Sequence, residues 1–507
     1  MNIFIIPRGG SFPSTGVNTA FLHVDHWNDY SFVTMFSLSL YDQKGEFHDI
    51  GSIKIGFQGQ KTEQSTYAML GHGFQSLPDG YFSVGQDVEY YEKISNLSES
   101  VKISLLEALK DIAHAPELIE LFKDEDVFKT SLLRYVSLSV IKGQFTRVLK
   151  GLNPLTNFEF KFVRPAQPKI SGIELTFKVK VGVKPSTNIH AIIGRNGVGK
   201  TTLLNGMIEA VTSKGESDAQ FYDMEGWSES PIDTDYFSSL VSVSFSAFDP
   251  FEPPSEQPDP SNGTCYFYIG LKKKGESLKS LNDIHEDFLQ ALKLCLSQPS
   301  KLDRWLRAID TLESDENFAN MELKKLAHYP DKEIFENARK VIKKMSSGHA
   351  VVLLTITRLV ATVEEKTLVL IDEPESHLHP PLLSAFIRAL SDLLLDRNGV
   401  SIIATHSPVV LQEVPKRCVW KINRSRLVTE PRRPAIETFG ENVGILTREV
   451  FGLEVVKSGF HDLLVKSVES GQTYQEIVDE YEEQLGIEAR ALLKALVTHK
   501  ERSKGRC

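Results

Sequence analysis

The chain has 507 residues, 41% of them hydrophobic and 24% charged, with a formal net charge of −10; length alone predicts two to four domains with ample core. No apolar run approaches the ~20 residues of a membrane helix, and the opening MNIFIIPRGG has no basic residue ahead of its apolar patch, which argues against a secretory signal. The four scattered cysteines (Cys265, Cys295, Cys418, Cys507) argue against a zinc ribbon or a disulfide framework and favour a reducing cytoplasm, while the acidic balance disfavours non-specific binding of nucleic acid.

Residues 1 to about 85 read as strands, because stretches such as YSFVTMFSLSLYD (30–42) and GSIKIGF (51–57) are β-branched or aromatic and broken by turn residues. Gly71, Gly73, Gly80 and Gly85 punctuate their end. Over 88–150 the period changes to three and four, as in LLEALKDIAHAPELIELF, which predicts helices. Pro154, Pro165 and Pro168 mark a boundary. Strands return with ELTFKVKVGV and NIHAIIG, the second ending in a glycine loop. The segment 213–262 is rich in Ser, Asp, Glu and Pro, and DPFEPPSEQPDPSNG (249–263) predicts an exposed loop. Residues 277–345 read as helical and charged. An apolar helix (350–363), the strand TLVLI (367–371), a helix (381–395) and the strand VSIIAT (400–405) follow, then a helical tail from about 440 that ends in the basic cluster HKERSKGR.

Such alternation implies a mostly parallel sheet covered by helices. The expected fold is α/β, with a β-rich N-terminal lobe and helical insertions. The expected divisions are a β-rich then helical extension (1–150), a lobe with the glycine loop (151–276), a helical insert (277–345), a second lobe (346–440) and a helical tail (441–507).

Gly194, Arg195, Asn196, Gly197, Val198, Gly199, Lys200, Thr201 and Thr202 fit G-x-x-x-x-G-K-[ST] between an apolar strand and a helix start, the context a phosphate loop needs. Glycines let backbone N–H groups turn inward around phosphate. Lys200 then reaches the β- and γ-phosphates of ATP, and the Thr201 hydroxyl binds Mg²⁺.

The apolar run Leu368, Val369, Leu370, Ile371 reads as a buried parallel strand. Its carboxyl end, where ligands bind in open α/β sheets, carries Asp372 as a Mg²⁺ ligand and Glu373 as the residue that polarises the attacking water. The strand VSIIAT delivers His406 to the same edge. Ser346 and Gly348 stand in the turn MSSGH before an apolar helix, and a helix N-terminus suits an anion; an ordinary helix cap is the competing reading. His377 and His379 form an HxH pair, a possible metal motif.

MSSGH resembles the ABC signature turn, and THSP resembles the ABC switch histidine. The strings IDEPESHLHP, ATHSPVVLQEV and FGENVGILTREVFGLEV look like the OLD/RecF-like branch of ABC ATPases, over about residues 173–453. The resemblance implies ATP hydrolysis with catalytic Glu373, His406 and Lys200, and assigns Ser346 and Gly348 to the γ-phosphate of a nucleotide held by a partner in a head-to-tail dimer. It places His377 and His379 in a loop that crosses the dimer interface. It also implies a glutamine loop after VSVSF; SAFDPF stands there, with Ser246 and Asp249 as substitutes, and Phe177 is the guess for the adenine-stacking residue. No DxD follows the switch strand, and the chain has no HNH-like or PD-(D/E)xK pattern, so no nuclease site is expected here. A nuclease-free ATPase with such an N-terminal extension resembles the ATPase subunit of Septu-type antiphage systems, also found beside some retrons. That implies a cytoplasmic homo-oligomer with an HNH-type nuclease subunit, with DNA or retron nucleic acid as a further partner and no membrane. The alternative is a RecF/SMC-like DNA-repair ATPase. Arg424, Arg426, Arg432 and Arg433 could touch phosphate or belong to a solvated hairpin.

Overall fold

The computed structural model describes the chain except residues 12, 26–31, 135, 153, 168–170, 214–216, 226–227, 235, 246–250, 260–261, 274–277, 426–427, 452–458 and 505–507. Ser246, Asp249 and Arg426 therefore lie outside the described residues.

The first six strands are β1 (Asn2–Ile6), β2 (Thr19–Val24), β3 (Met35–Tyr41), β4 (Phe47–Phe57), β5 (Gly73–Phe74) and β6 (Tyr81–Gly85). They form one sheet in the order β5-β1-β2-β3-β4-β6. β1 and β2 pair in parallel and every other neighbour is antiparallel. Apolar side chains of this sheet, among them Leu22, Leu38, Ile53 and Phe82, bury against Tyr90, Leu105 and Phe145 of the helical stretch that follows.

Next come β7 (Phe158–Arg164), β8 (Ile173–Val179), β9 (Ile189–Ile193), β10 (Gln220–Asp223), β11 (Ser230–Pro231), β12 (Ser239–Ser244) and β13 (Cys265–Gly270). The set closes with β14 (Leu368–Asp372), β15 (Val400–Thr405), β16 (Val419–Ser425) and β17 (Val428–Arg432). β11-β10-β7-β8 make an antiparallel sheet. In β7 the buried Phe158, Phe160 and Phe162 alternate with Glu159 and Lys161, the period of a strand with one face on a core.

The third sheet has the order β13-β12-β14-β15-β9-β16-β17. All of it is parallel except the terminal hairpin β16–β17. β9, β14 and β15 are buried at every position, as strands covered on both faces must be. One face meets the antiparallel sheet and the helix Lys200–Thr212 through Phe160, Leu203 and Met207. The other meets the helices Leu281–Leu296, Ser347–Thr362 and Pro380–Asp396. The fold is an α/β sandwich of helices, a mostly parallel sheet and a β layer. The segment 213–262 holds more strand than its composition suggests: β10 and β11 extend the antiparallel sheet, and Gln257 bridges to Tyr266.

Buried ion pairs join the N-terminal module to this sandwich. Asp87, at the start of the helix Val88–Ser95, receives Arg304 at 3.0 Å and Arg397 at 2.8 Å. Both guanidinium side chains are 2% exposed. Burial works against the charged form of Asp87, yet the Arg304 guanidinium and hydrogen bonds from Glu89 and Ser300 hold its carboxyl below the usual carboxylate range. Arg147 pairs with Glu365 beside them. The helices Phe460–Glu469, Tyr474–Glu480 and Ile487–Lys504 share a small core of Leu464, Ile477 and Leu493. Among the described residues no helix is long and apolar enough to cross a membrane.

Candidate nucleotide site

The loop after β9 turns on glycine. Gly197 and Gly199 have φ of +79° and +97°, left-handed values that cost a side chain. At Gly194 a Cβ would stand 2.5 Å from the Ile422 carbonyl oxygen. Lys200 opens the helix and folds back over the loop, its Nζ donating to the carbonyls of Gly194 at 3.1 Å and Arg195 at 3.2 Å. Burial pushes its pKa down, and the nearby carboxylates of Glu373 and Asp372 oppose that. Lys200 Nζ lies 3.9 Å from Glu373 Oε1. Thr201 Oγ1 donates to Asp372 Oδ2 at 2.8 Å. Arg195 donates to the Phe451 carbonyl at 3.0 Å, which ties the loop to the helix Val443–Phe451. Asn196, Gly197 and Thr202 are exposed, and Val198 is half-buried.

Asp372 ends β14 and Glu373 follows at φ +46°, unusual for a residue with a side chain. Its N–H donates to the Ala404 carbonyl at 2.9 Å, so the ends of β14 and β15 are joined at the turn. His406 Nδ1 stands 3.1 Å from Glu375 Oε1 and 3.6 Å from Glu373 Oε1. Glu375, given no role by the sequence reading, accepts from the Thr405 hydroxyl and the His406 N–H, both at 2.7 Å. Its signal was its place three residues beyond Asp372 in one short turn.

Ser346 and Gly348 lie at the start of the helix Ser347–Thr362. Ser346 is its N-cap, accepting from His349 N–H at 3.4 Å, and its Oγ lies 2.6 Å from His349 Nδ1. Gly348 packs on the loop after β14, where a Cβ would meet the His377 carbonyl oxygen at 2.6 Å. The HxH pair divides: His377 Nε2 donates to the Phe245 carbonyl at 3.0 Å, and His379 caps the helix Pro380–Asp396.

Phe177 cannot stack on an adenine. It is fully buried, with its ring 5.3 Å from Phe160 and 5.2 Å, edge-on, from His190. Its strand alternates strictly and puts this position on the core side. Arg433 is likewise engaged, with its guanidinium 3.6 Å from the Trp420 ring centroid, donating to the carbonyls of Val419 and Thr176. Arg432 pairs with Glu430, two residues earlier on the same exposed strand β17.

The site thus has a cationic loop, two oxygen donors 2.8 Å apart suited to a hard divalent ion, a carboxylate and an imidazole at the ends of neighbouring strands. Residues 293–412 match the family described as "AAA domain, putative AbiEii toxin, Type IV TA system". The chain is 53% identical over 518 residues to "Protein ea59" of Escherichia phage lambda, covering 99% of each chain. Among solved structures it resembles the ADP conformation of MJ1267, an ATP-binding cassette of an ABC transporter, at 14% identity and a TM-score of 0.32 over 60% of this chain and 98% of that one. The SMC head domain from Thermotoga maritima matches at 11% identity and a TM-score of 0.29, over 55% of this chain and 100% of that one.

Proposed function

This chain belongs to the family of the phage lambda protein ea59, and we propose that it is an ATP hydrolase that closes head to tail around ATP and thereby controls a separate nuclease subunit. Its cassette is an ATPase domain of the ABC/AAA type. The observation that carries the reading is the convergence of Lys200, Thr201, Asp372, Glu373 and His406 where the adjacent strands β9, β14 and β15 end.

Backbone N–H groups of the loop from Gly194 to Gly199 cradle the phosphates, and Lys200 leaves its carbonyl partners for the β- and γ-phosphates. Thr201 and Asp372 would hold Mg²⁺, which supplies charge neutralisation at the phosphates. Glu373 orients and polarises water, and His406 contacts the γ-phosphate. Ser346 and Gly348 of a second copy close the site from outside, so that ATP joins the two copies and its hydrolysis parts them.

Control of a nuclease rests on the Septu-like resemblance and on the lack of a nuclease motif in this chain. The family matched by residues 293–412 is described through a toxin of a toxin–antitoxin system, in keeping with a defence role. A tagged chain, wild type and Glu373→Gln side by side, tests this by recovery from the native locus and mass spectrometry. A small HNH-type nuclease at fixed stoichiometry supports the reading. Recovery of the ATPase alone, with hydrolysis stimulated by DNA ends, overturns it in favour of a RecF/SMC-like repair role.

A further inference from the structure

A second group of side chains has the donor set of a metal centre. Asp315 precedes the helix Glu316–Asn320, His349 lies in the first turn of the helix Ser347–Thr362, and His379 caps the helix Pro380–Asp396. Their ligating atoms all lie within 4.8 Å of one another. Asp315 Oδ1 is 3.2 Å from His349 Nε2, and Asp315 Oδ2 is 3.3 Å from His379 Nε2. A charge-assisted bond from imidazole to carboxylate is shorter, roughly 2.7–2.9 Å. The edge of a tetrahedron with metal–ligand bonds of about 2.0–2.1 Å is roughly 3.3 Å; the two imidazoles stand near that distance from different carboxylate oxygens, His349 from Oδ1 and His379 from Oδ2, so ligation through one oxygen turns the Asp315 carboxylate toward both.

We propose that Asp315, His349 and His379 bind one divalent transition-metal ion of the Zn²⁺ kind, with water completing the shell on the solvent side, where the His379 side chain is 47% exposed. The surroundings fit. His349 Nδ1 lies 2.6 Å from Ser346 Oγ, the outer partner that fixes the tautomer of a ligating histidine. Asp315 Oδ1 is held by the N–H groups of Asn317 at 3.0 Å and Phe318 at 3.1 Å. Ligation through Nε2 places the His379 ring proton on Nδ1, at the expense of a long 3.3 Å cap contact with Leu382 N–H.

The ion would join three elements that the sequence separates, and would brace the turn holding Ser346 and Gly348. It also fixes His349 Nδ1–H as donor to Ser346 Oγ, which leaves the serine proton free for an outside acceptor. This last consequence rests on the proposed role of Ser346 at a partner's nucleotide; the metal site does not.

The test is a Co²⁺ titration of the chelator-stripped, nucleotide-free full chain. One saturable equivalent with the visible absorption of tetrahedral cobalt, displaced by Zn²⁺, is expected. His379→Ala gives up only the long 3.3 Å cap contact, so it should lower the melting temperature slightly at most and weaken cobalt binding about tenfold or more. Asp372→Ala, which removes the carboxylate proposed to hold Mg²⁺, should bind cobalt like wild type, which separates this site from the nucleotide site. No saturable equivalent in wild type, or His379→Ala titrating as wild type does, overturns the proposal.

Discussion

Glu375 Oε1 accepts the backbone N–H of His406 at 2.7 Å, so the turn after β14 holds the turn after β15. The Thr405 hydroxyl reaches the same oxygen at 2.7 Å. Glu375→Ala should loosen His406 without touching the phosphate loop. A displacement of ~1 Å at such a site costs up to ~100-fold in rate, so kcat for ATP hydrolysis should fall about 10- to 100-fold while KM changes little. Glu375→Gln keeps an acceptor oxygen and should lose less. Steady-state phosphate release compares the two.

Glu373 and Lys200 separate binding from chemistry. Glu373→Gln removes the carboxylate base, worth ~10²–10⁴-fold in rate, and should leave ATP bound. Size-exclusion chromatography in ATP should then show a species of at least two copies. Lys200→Ala should lose nucleotide binding and show no ATP-dependent assembly. A Glu373→Gln chain that turns ATP over at the wild-type rate would remove Glu373 from the mechanism.

Gly348 is set by contact rather than by its own backbone angle. Its missing Cβ makes room for the His377 carbonyl oxygen, 2.6 Å from where a Cβ would stand. Gly348→Ala must push apart two backbone segments, and overpacking of this kind costs about 1–3 kcal/mol. A lowered midpoint in thermal unfolding is expected, together with weaker ATP-dependent assembly.

Asp111 gives the N-terminal module a pH dependence. It is fully buried, accepting from Tyr91 Oη at 3.0 Å and Ala113 N–H at 2.9 Å, and burial pushes it up to about 7. The unfolded chain releases this proton near pH ~3.9. A raised folded value means that the stabilisation is complete below about pH 4 and is lost as pH rises to about 7. In urea unfolding, wild type should lose stability relative to Asp111→Asn across that window, with a constant difference above it.

The candidate site was legible because its parts are contiguous in sequence: the loop from Gly194 to Thr202, Asp372 and Glu373 after an apolar run, and His406 after another. A buried parallel strand leaves a continuous apolar stretch, and its end marks the site. Phe177 was misread because a strand's period decides which way a side chain faces, and position 177 falls on the core face. Glu375 was missed because its partners, Thr405 and His406, are brought to it only by strand pairing. His379 suggested a pair with His377, yet its near neighbours are Asp315 and His349, on elements that no local pattern links to it. The left-handed backbone of Glu373 has no sequence signal of its own, since acidic residues seldom require it.

The ion pairs that anchor the N-terminal module fall in particular places along the strands. Arg397 comes just before β15 and Glu365 just before β14, at the ends where the strands begin. The phosphate loop, Asp372 and His406 stand where β9, β14 and β15 finish, roughly 20 Å away along a strand of six residues. The module therefore grips the rim of the sheet opposite the candidate site. β14 and β15 thus run from beside the module's anchors to the candidate site, each a single covalent backbone joining one rim of the sheet to the other.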